Sequence, residues 1–237
     1  SHARNVGGHA ACGEVLFFTD DDAECEPHCL QEIYHCYRNF DSVGVVGGQV
    51  LLQVPEHKRQ FVVPSYEGVW SHFPITGESP TEAIHAWEFP FGANFSVRRE
   101  VFLKIGGFRC RYGRKGADYG GGEEIALAAI VKQYGYKIWL TPRAIVKHHV
   151  DCERFNLEHV QKTIFAGLMT NYRLSRDLYL PMDFKEVSVQ EDLQRLRQRL
   201  SSIPANSQEE IYCQYRIDGY TELLEAHRHD REIMVNL

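Results

Sequence analysis

Short apolar runs alternate with amphipathic segments along most of the chain. Residues 14–20 (EVLFFTD) and 42–54 (SVGVVGGQVLLQV) are rich in β-branched and aromatic residues and end in polar ones, which is typical of buried strands. Between them, apolar residues recur at helical spacing over 27–39, and the proline that opens this segment suits the first turn of a helix. This alternation predicts an α/β fold in which helices connect the strands of a mostly parallel sheet.

The same pattern continues after an excursion at 55–86, where proline, glycine, serine and aromatic residues replace any regular period. Further strands are predicted at 88–97, 136–141 and 144–150, and further helices at 3–12, 98–105, 123–134 and 156–180. Heptad-like leucines over 188–227 predict a helical appendage. We therefore divide the chain into an α/β core at 1–150 and a helical C-terminal extension at 151–237.

Charge and composition exclude several classes of protein. The 237 residues carry a formal net charge of −6 and contain no block of lysine and arginine, so no nucleic acid is expected as a partner. No apolar stretch approaches the ~18 residues that span a bilayer, and no charged-then-apolar leader opens the chain. Seven irregularly spaced cysteines are most simply read as reduced thiols. These features predict a cytoplasmic protein, with peripheral association with a membrane as the alternative.

Three consecutive acids, Asp20, Asp21 and Asp22, follow the first predicted strand. Open α/β sheets bind ligands at the carboxyl ends of their strands. Carboxylates crowded at such a place become tolerable when a divalent cation neutralises them, and oxygen ligands suit magnesium, manganese or calcium. On a turning backbone, Asp20 and Asp22 can face one side while Asp21 faces another. The alternative is a solvated acidic turn that caps the next helix.

A second acidic pair, Glu123 and Glu124, follows the glycines at 120–122 at the start of a predicted helix. The helix dipole alone favours acids there by ~0.3–1 kcal/mol, which is the simpler explanation. Glycines also let the backbone approach a ligand closely, and a carboxylate beside them could act as a general base toward a hydroxyl. Farther along, His148 and His149 end a predicted strand on opposite faces, so only one of them can join a given site.

Four sequence blocks occur in a fixed order, and together they identify a protein family more specifically than any single block does. The blocks are ARNVG (3–7) with CGEVLFFTDDD (12–22), GANFSVRREVFLKIGGF (92–108), GGEEIAL (121–127) and GYKIWLTPRAIVKHHV (135–150). Together they resemble the second half of a family-2 glycosyltransferase of the GT-A fold. The resemblance implies a GT-A-like, Rossmann-type sheet flanked by helices.

The resemblance also implies roles for residues at the donor side. Asp20 and Asp22 match the Asp-x-Asp element that holds Mn2+ or Mg2+ against the diphosphate of a nucleotide sugar. His148 is the match for the late histidine that can complete the metal site. We assign Asp21 and Arg4 to the donor diphosphate and sugar.

On the acceptor side, Glu124 matches the catalytic base of inverting members, with Glu123 beside it, although aspartate is commoner than glutamate at position 124. The expected acceptor-binding residues are Gly92, Ala93, Asn94 and Trp87. The aromatic side chains of the long excursion, Trp70 and Phe73 among them, are expected to stack on sugars, with buried packing as the alternative.

The implied activity is metal-dependent transfer of a hexose-like sugar from a nucleotide sugar to a hydroxyl of a glycan, a lipid-linked molecule or a small molecule. Inversion is expected, and the spacing leaves retention open. Two alternatives remain: a non-catalytic binding or scaffold domain derived from such an enzyme, and a metal-dependent phosphoryl-transfer hydrolase. The strand-helix-strand unit that grips the nucleotide in the family has no counterpart here. We expect a fragment, a half supplied in trans, or lost donor binding, and weak nucleotide-sugar binding by this polypeptide alone.

Overall fold

The computed structural model describes residues 1–85, 88–114, 119–178 and 186–235. The helices are α1 (His2–Ala10), α2 (Cys29–Asn39), α3 (Arg99–Ile105), α4 (Glu123–Gln133), α5 (Leu157–Leu178), α6 (Glu186–Leu200) and α7 (Gln208–Val235). The strands are β1 (Val15–Phe18), β2 (Ala23–Cys25), β3 (Val43–Leu52), β4 (Thr81–Glu82), β5 (Phe95–Arg98) and β6 (Lys137–His148). The predicted α/β class, with a sheet flanked by helices, is confirmed.

The sheet is mixed, which corrects the expectation of mostly parallel strands. Its order is β1-β5-β3-β6-β2, with β4 paired to β6. Among the described strands, β3 and β6 pair in parallel, and the other pairings are antiparallel. The long excursion after β3 returns to the edge at which β1 and β3 end, so β5 enters the sheet from that edge. It therefore runs against both neighbours, with Phe95 opposite Phe18 at one end.

The two predicted strands at 136–141 and 144–150 are one strand, β6. The pairing of β6 with β3 shifts register between Thr141 and Ile145, where the backbone bulges. Pro142 lies in this bulge, which is where a sheet tolerates a residue without a backbone N–H. The Gln49 side chain donates to the Pro142 carbonyl at 2.6 Å and so satisfies a group that the ladder leaves free. A proline that interrupts the pattern thus marks a bulge rather than a strand boundary.

Apolar cores lie on both faces of the sheet. On one face, α3 and α4 pack against sheet residues in a cluster that includes Leu16, Phe95, Phe102, Leu127 and Ile138. On the other face, α2 packs its buried side against the sheet in a cluster that includes Cys29, Ile33, Cys36, Val46 and Val146. Burial of each such large side chain contributes ~1.5–3 kcal/mol, so these clusters fix the strand ends that carry the acidic residues.

Most of the described residues after 150 lie in the helices α5, α6 and α7, and α5 contacts the core. The division of the chain at residue 150 stays a prediction. Helix α5 packs against α4, and α6 pairs with α7 through a cluster that includes Leu193, Leu196 and Ile217. A further cluster joins Trp70 and Tyr66 of the excursion to Phe155 and to Tyr212 of α7. None of the helices in the described parts of the chain combines the length and apolar character needed to cross a bilayer.

Candidate active site

The acidic loop after β1 and the end of β6 lie side by side. Ala23 in β2 pairs with His148, and the His149 N–H donates to the Asp22 carbonyl at 2.8 Å. These contacts hold the loop against the strand, so that ligand atoms of Asp20, Asp22 and His148 all lie within 4.8 Å of one another. Within the described residues, no other group of three or more His, Cys, Asp or Glu side chains is close enough to hold an ion.

His148 is oriented by a backbone carbonyl. Its side chain is buried, and Nδ1 lies 3.0 Å from the Trp70 carbonyl oxygen. Because a carbonyl only accepts, Nδ1 carries the hydrogen, and Nε2 faces Oδ1 of Asp22 at 3.2 Å. A nitrogen lone pair beside a carboxylate requires a cation, either a proton or a metal ion. The neighbouring His149 points to the opposite face and contacts Glu24, as strand alternation predicts.

Arg4 connects the acidic loop to the acidic pair of α4. Its Nη2 lies 2.6 Å from Oδ1 of Asp20, and its Nη1 lies 3.2 Å from Oε1 of Glu123. Burial alone would lower the pKa of Arg4, but the charges of Glu124, Asp20 and Glu123 raise it above its usual value. Charge-assisted pairs of this kind are strong, so Arg4 holds the first helix at the site and partly neutralises Asp20.

Glu124 is held in a partly apolar setting with one free oxygen. Its Oε1 accepts a hydrogen bond from the Gly92 N–H at 3.1 Å, whereas Oε2 is buried and has no hydrogen-bond partner. Burial, and then the charge of Glu123, raises the pKa of Glu124 to about 7. A carboxylate with this pKa can take a proton near neutral pH, and Oε2, although shielded from solvent, makes no hydrogen bond that a substrate hydroxyl would have to displace.

These groups line one cavity of about 540 Å³. Its wall contains the acidic loop and Arg4, the backbone of Gly92 and Ala93, the start of α4, and one face of α5. Asp21 is exposed and also lines the cavity. The acids near positions 20 and 124 and the late imidazole therefore face a common space of the size that small-molecule sites occupy.

Two sequence expectations change with the structure. Asn94 is fully buried beneath the site, where its amide donates to the carbonyls of Gln49 and Ala144, and it does not line the cavity. This residue ties β3 to the bulge of β6 instead of contacting an acceptor. Trp70 is also buried and stacks on Phe155 with ring centroids 5.2 Å apart, so it cannot stack on a sugar. The expected acceptor residue Trp87 lies outside the described residues.

Sequence analysis missed the cavity residues that come from beyond position 150. Arg154 lies 3.7 Å from Oδ2 of Asp22, and Thr163, Gly167 and Thr170 line the opposite wall from α5. Their spacing along α5 places small residues on one helical face, which is a signal that could have been read. The direction of that face depends on how α5 packs on α4, which local pattern does not give.

Gly92 is required by the close approach of two charged side chains. A Cβ at this position would lie 2.6 Å from Arg4 Nη1 and 2.8 Å from Glu124 Oε1. We expect Gly92→Ala to displace both groups and to reduce turnover by about 100-fold, the usual cost of misplacing a reacting group by ~1 Å. Steady-state kinetics of the whole protein measure this. The control is Gly7→Ala on exposed α1, where a Cβ meets nothing within 4 Å; equal loss in both variants would remove the steric explanation.

The chain is similar in sequence to known glycosyltransferases. No family model matches the chain. It is 29% identical over 150 residues to a glucosyl-dolichyl phosphate glucuronosyltransferase of Haloferax volcanii, covering 62% of this chain and 47% of that protein. It is 33% identical over 107 residues to an uncharacterized glycosyltransferase of a Nostoc species, covering 44% of this chain and 31% of that protein.

A solved structure gives the fold. The mannosyltransferase PcManGT from Pyrobaculum calidifontis, in complex with GDP-Man and Mn2+, superposes with a TM-score of 0.52 at 16% identity and covers 96% of this chain. The resemblance to GT-A glycosyltransferases is confirmed. The GT-A-like chain spans less than half the length of the curated relatives that it matches and 54% of the mannosyltransferase chain. In this GT-A-like core, the acidic loop follows β1 and the imidazole ends β6, two strands that lie in one sheet.

Proposed function

We propose that the protein is a metal-dependent glycosyltransferase that moves a sugar from a nucleotide-sugar donor to an acceptor hydroxyl with inversion. The convergence of Asp20, Asp22 and His148 with Glu124 on one cavity carries this proposal. The relatives named above support the sugar-transfer class. The activity, donor and acceptor are proposed for the whole protein, whether this chain is a part of it or all of it.

The side chains present fit a divalent cation. Two carboxylates and one imidazole offer oxygen and nitrogen ligands, and the Trp70 carbonyl fixes the imidazole with Nε2 toward Asp22. Asp20, Asp22 and His148 would hold Mn2+ or Mg2+, as the Mn2+ bound by the mannosyltransferase of similar fold supports. When bound, the ion would offset the charge that develops on the departing diphosphate.

Cationic side chains beside the acidic loop would position the donor. Arg154 and Arg4 both line the cavity and both contact its acids, so either can pair with phosphate oxygens once a donor enters. Asp21, exposed at the same wall, is proposed to contact the donor as well. This extends the roles assigned from sequence by one residue, Arg154.

Glu124 is the proposed general base. Its Oε2 is buried and has no hydrogen-bond partner, and we propose that it turns toward the cavity and accepts the proton of an acceptor hydroxyl as that oxygen attacks the anomeric carbon. The Gly92 N–H fixes the other oxygen, which keeps the carboxylate in one orientation. Glu123 pairs with Arg4 and acts on Glu124 through its charge, so we propose it as a positioning residue. Gly92 and Ala93 form the wall beside the base and are proposed to contact the acceptor.

Turnover of nucleotide sugars tests this function. The whole protein is incubated with UDP-linked and GDP-linked sugars in the presence of Mn2+, Mg2+ or a chelator, and proton NMR follows the anomeric configuration of the released or transferred sugar. We expect turnover with at least one donor, loss of turnover with chelator, and inversion at the anomeric carbon. Retention of configuration would contradict the role of Glu124 as base, and turnover of no donor would contradict the proposed class.

A further inference from the structure

One guanidinium group joins the acidic loop to the acidic pair of α4. Arg4 Nη2 contacts Asp20 at 2.6 Å, and Nη1 contacts Glu123 at 3.2 Å. The Arg4 side chain is only 20% exposed, and its guanidinium carbon lies 6.0 Å from the centroid of the Phe108 ring. Both ion pairs are therefore largely shielded from water, where charges interact more strongly than at an open surface.

The same guanidinium lies close to the proposed base. A Cβ on Gly92 would stand 2.6 Å from Arg4 Nη1 and 2.8 Å from Glu124 Oε1, so these two atoms flank one backbone position. Burial and then the charge of Glu123 raise the pKa of Glu124, whereas the charge of Arg4 lowers it. Arg4 therefore favours the ionised form of Glu124, which is the form that can accept a proton.

The other charged groups near Glu124 do not bridge the loop and the pair. Glu123 precedes it on α4, and the Ser1 amino group lies 3.9 Å from Glu123 Oε1. Helix α5 presents only uncharged side chains to the cavity. Within the described residues, Arg4 is the cation that forms ion pairs with both the acidic loop and the acidic pair. The other ionisable side chains on the cavity wall are Asp21, Asp22, Arg114, Tyr119, His148 and Arg154.

We propose that Arg4 couples the proposed metal site to the proposed base, because it competes with a cation for Asp20 and keeps the acidic pair in its charged form. An ion drawn to Asp20 takes up part of that carboxylate's charge, which leaves more of the Arg4 charge to act on the acidic pair. Binding of the ion and ionisation of Glu124 then favour each other. Arg4 acts through these side chains as a positioning residue, in addition to its proposed contact with the donor. The inference rests on the proposed function and describes how the two halves of the same site depend on each other.

Affinity for Mn2+ alone tests the competition for Asp20 without donor or turnover. Electron paramagnetic resonance of free Mn2+ compares the unmodified protein with Arg4→Gln and Arg4→Met, which both remove the charge, and with Arg4→Lys, which keeps it. Methionine also preserves apolar contact with Phe108, and circular dichroism confirms that each variant folds. We expect both neutral variants to bind Mn2+ about tenfold more tightly, because the competing charge is gone. Damage to the site would weaken binding instead.

Two controls accompany this measurement. Arg4→Lys should bind Mn2+ within about threefold of the unmodified protein, because a cation still stands beside Asp20. Arg38→Gln makes the same change of net charge at an exposed position of α2 and should leave the affinity unchanged.

The pH dependence of turnover tests the effect on the base. With a nucleotide sugar that the protein turns over, the pH midpoint of kcat should move upward in Arg4→Gln, because Glu124 loses the charge that favours its ionised form. Arg4→Lys should bring the midpoint back toward that of the unmodified protein. A purely structural role for Arg4 would lower kcat by the same factor at every pH, and that result would overturn the coupling.

The outcomes also separate this inference from the proposed function. Mn2+ affinity that is unchanged or weaker in a folded, neutral Arg4 variant would overturn the coupling and leave the metal site in place. An equal gain of affinity in Arg4→Gln and Arg4→Lys would assign the effect to geometry rather than charge, and it would overturn the coupling as well. Absence of Mn2+ binding by the unmodified protein would overturn the proposed metal site itself, and the coupling with it.

Discussion

Replacing Glu124 with glutamine is expected to lower turnover by about 10²–10⁴-fold, the usual contribution of a general base. Glutamine keeps an oxygen for the Gly92 N–H, so the loop geometry is preserved while the ability to take a proton is lost. Activity of the unmodified protein should rise with pH and level off above about 7, because Glu124 must be ionised to act and its pKa is raised to about 7. Steady-state kinetics across pH measure both effects. Glu78→Gln, at an exposed position away from the cavity, is the matched control.

Glu124→Gln is expected to lower turnover but to raise the free energy of unfolding at high pH. The pKa of Glu124 is raised from 4.5 to about 7 in the folded state, so the folded state holds the proton more tightly than the unfolded chain. The stability that this contributes is complete below pH 4.5 and is lost as pH rises through about 7. Glu124→Gln should therefore gain stability relative to the unmodified protein at pH 8, by up to about 3 kcal/mol. A folded variant with full turnover would exclude Glu124 as the base.

Replacing Asp22 with asparagine is expected to weaken Mn2+ binding by more than about 100-fold. Loss of a residue that only hydrogen-bonds a metal ligand already costs about 10–100-fold in metal affinity. Asp22 is a proposed ligand itself, with a carboxylate oxygen beside His148 Nε2, so its loss should cost more. Turnover should fall in proportion at limiting Mn2+. Electron paramagnetic resonance of free Mn2+ gives the affinity without depending on activity.

The control for Asp22 is Asp41→Asn, which changes the same charge at an exposed turn far from the cavity. Circular dichroism and thermal melting confirm that both variants fold. Equal Mn2+ affinity in Asp22→Asn and the unmodified protein would refute the metal site even if turnover were lost. If Asp41→Asn keeps the activity and the Mn2+ affinity of the unmodified protein, the loss in Asp22→Asn is not a general effect of net charge.

The convergence of Asp20, Asp22 and His148 could be predicted because it depends on local rules. Acids follow one strand, a histidine ends another, and alternation along β6 selects His148 over His149. The sheet directions could not be predicted in the same way. The composition of the excursion before Phe95 does not reveal the edge at which it returns, and that edge decides whether β5 runs parallel or antiparallel.

Contacts between segments that are distant in the sequence also could not be predicted from local sequence patterns. The sequence indicates that Arg4 lies in a matched block, but its pairing with Glu123 requires α1 and α4 to meet at one cavity. Asn94 illustrates the opposite error: it belongs to a matched block yet serves the backbone of β3 and β6. The face that α5 presents to the cavity likewise follows from packing against α4.

The location of bound Mn2+ tests the central claim most directly. Crystals of the protein grown with Mn2+ and a nucleoside diphosphate would be measured near the manganese absorption edge, and an anomalous difference map would locate the ion. We predict one peak bounded by Asp20, Asp22 and His148, with Glu124 across the same cavity. A peak at another group of side chains, with these three left unliganded, would contradict the account.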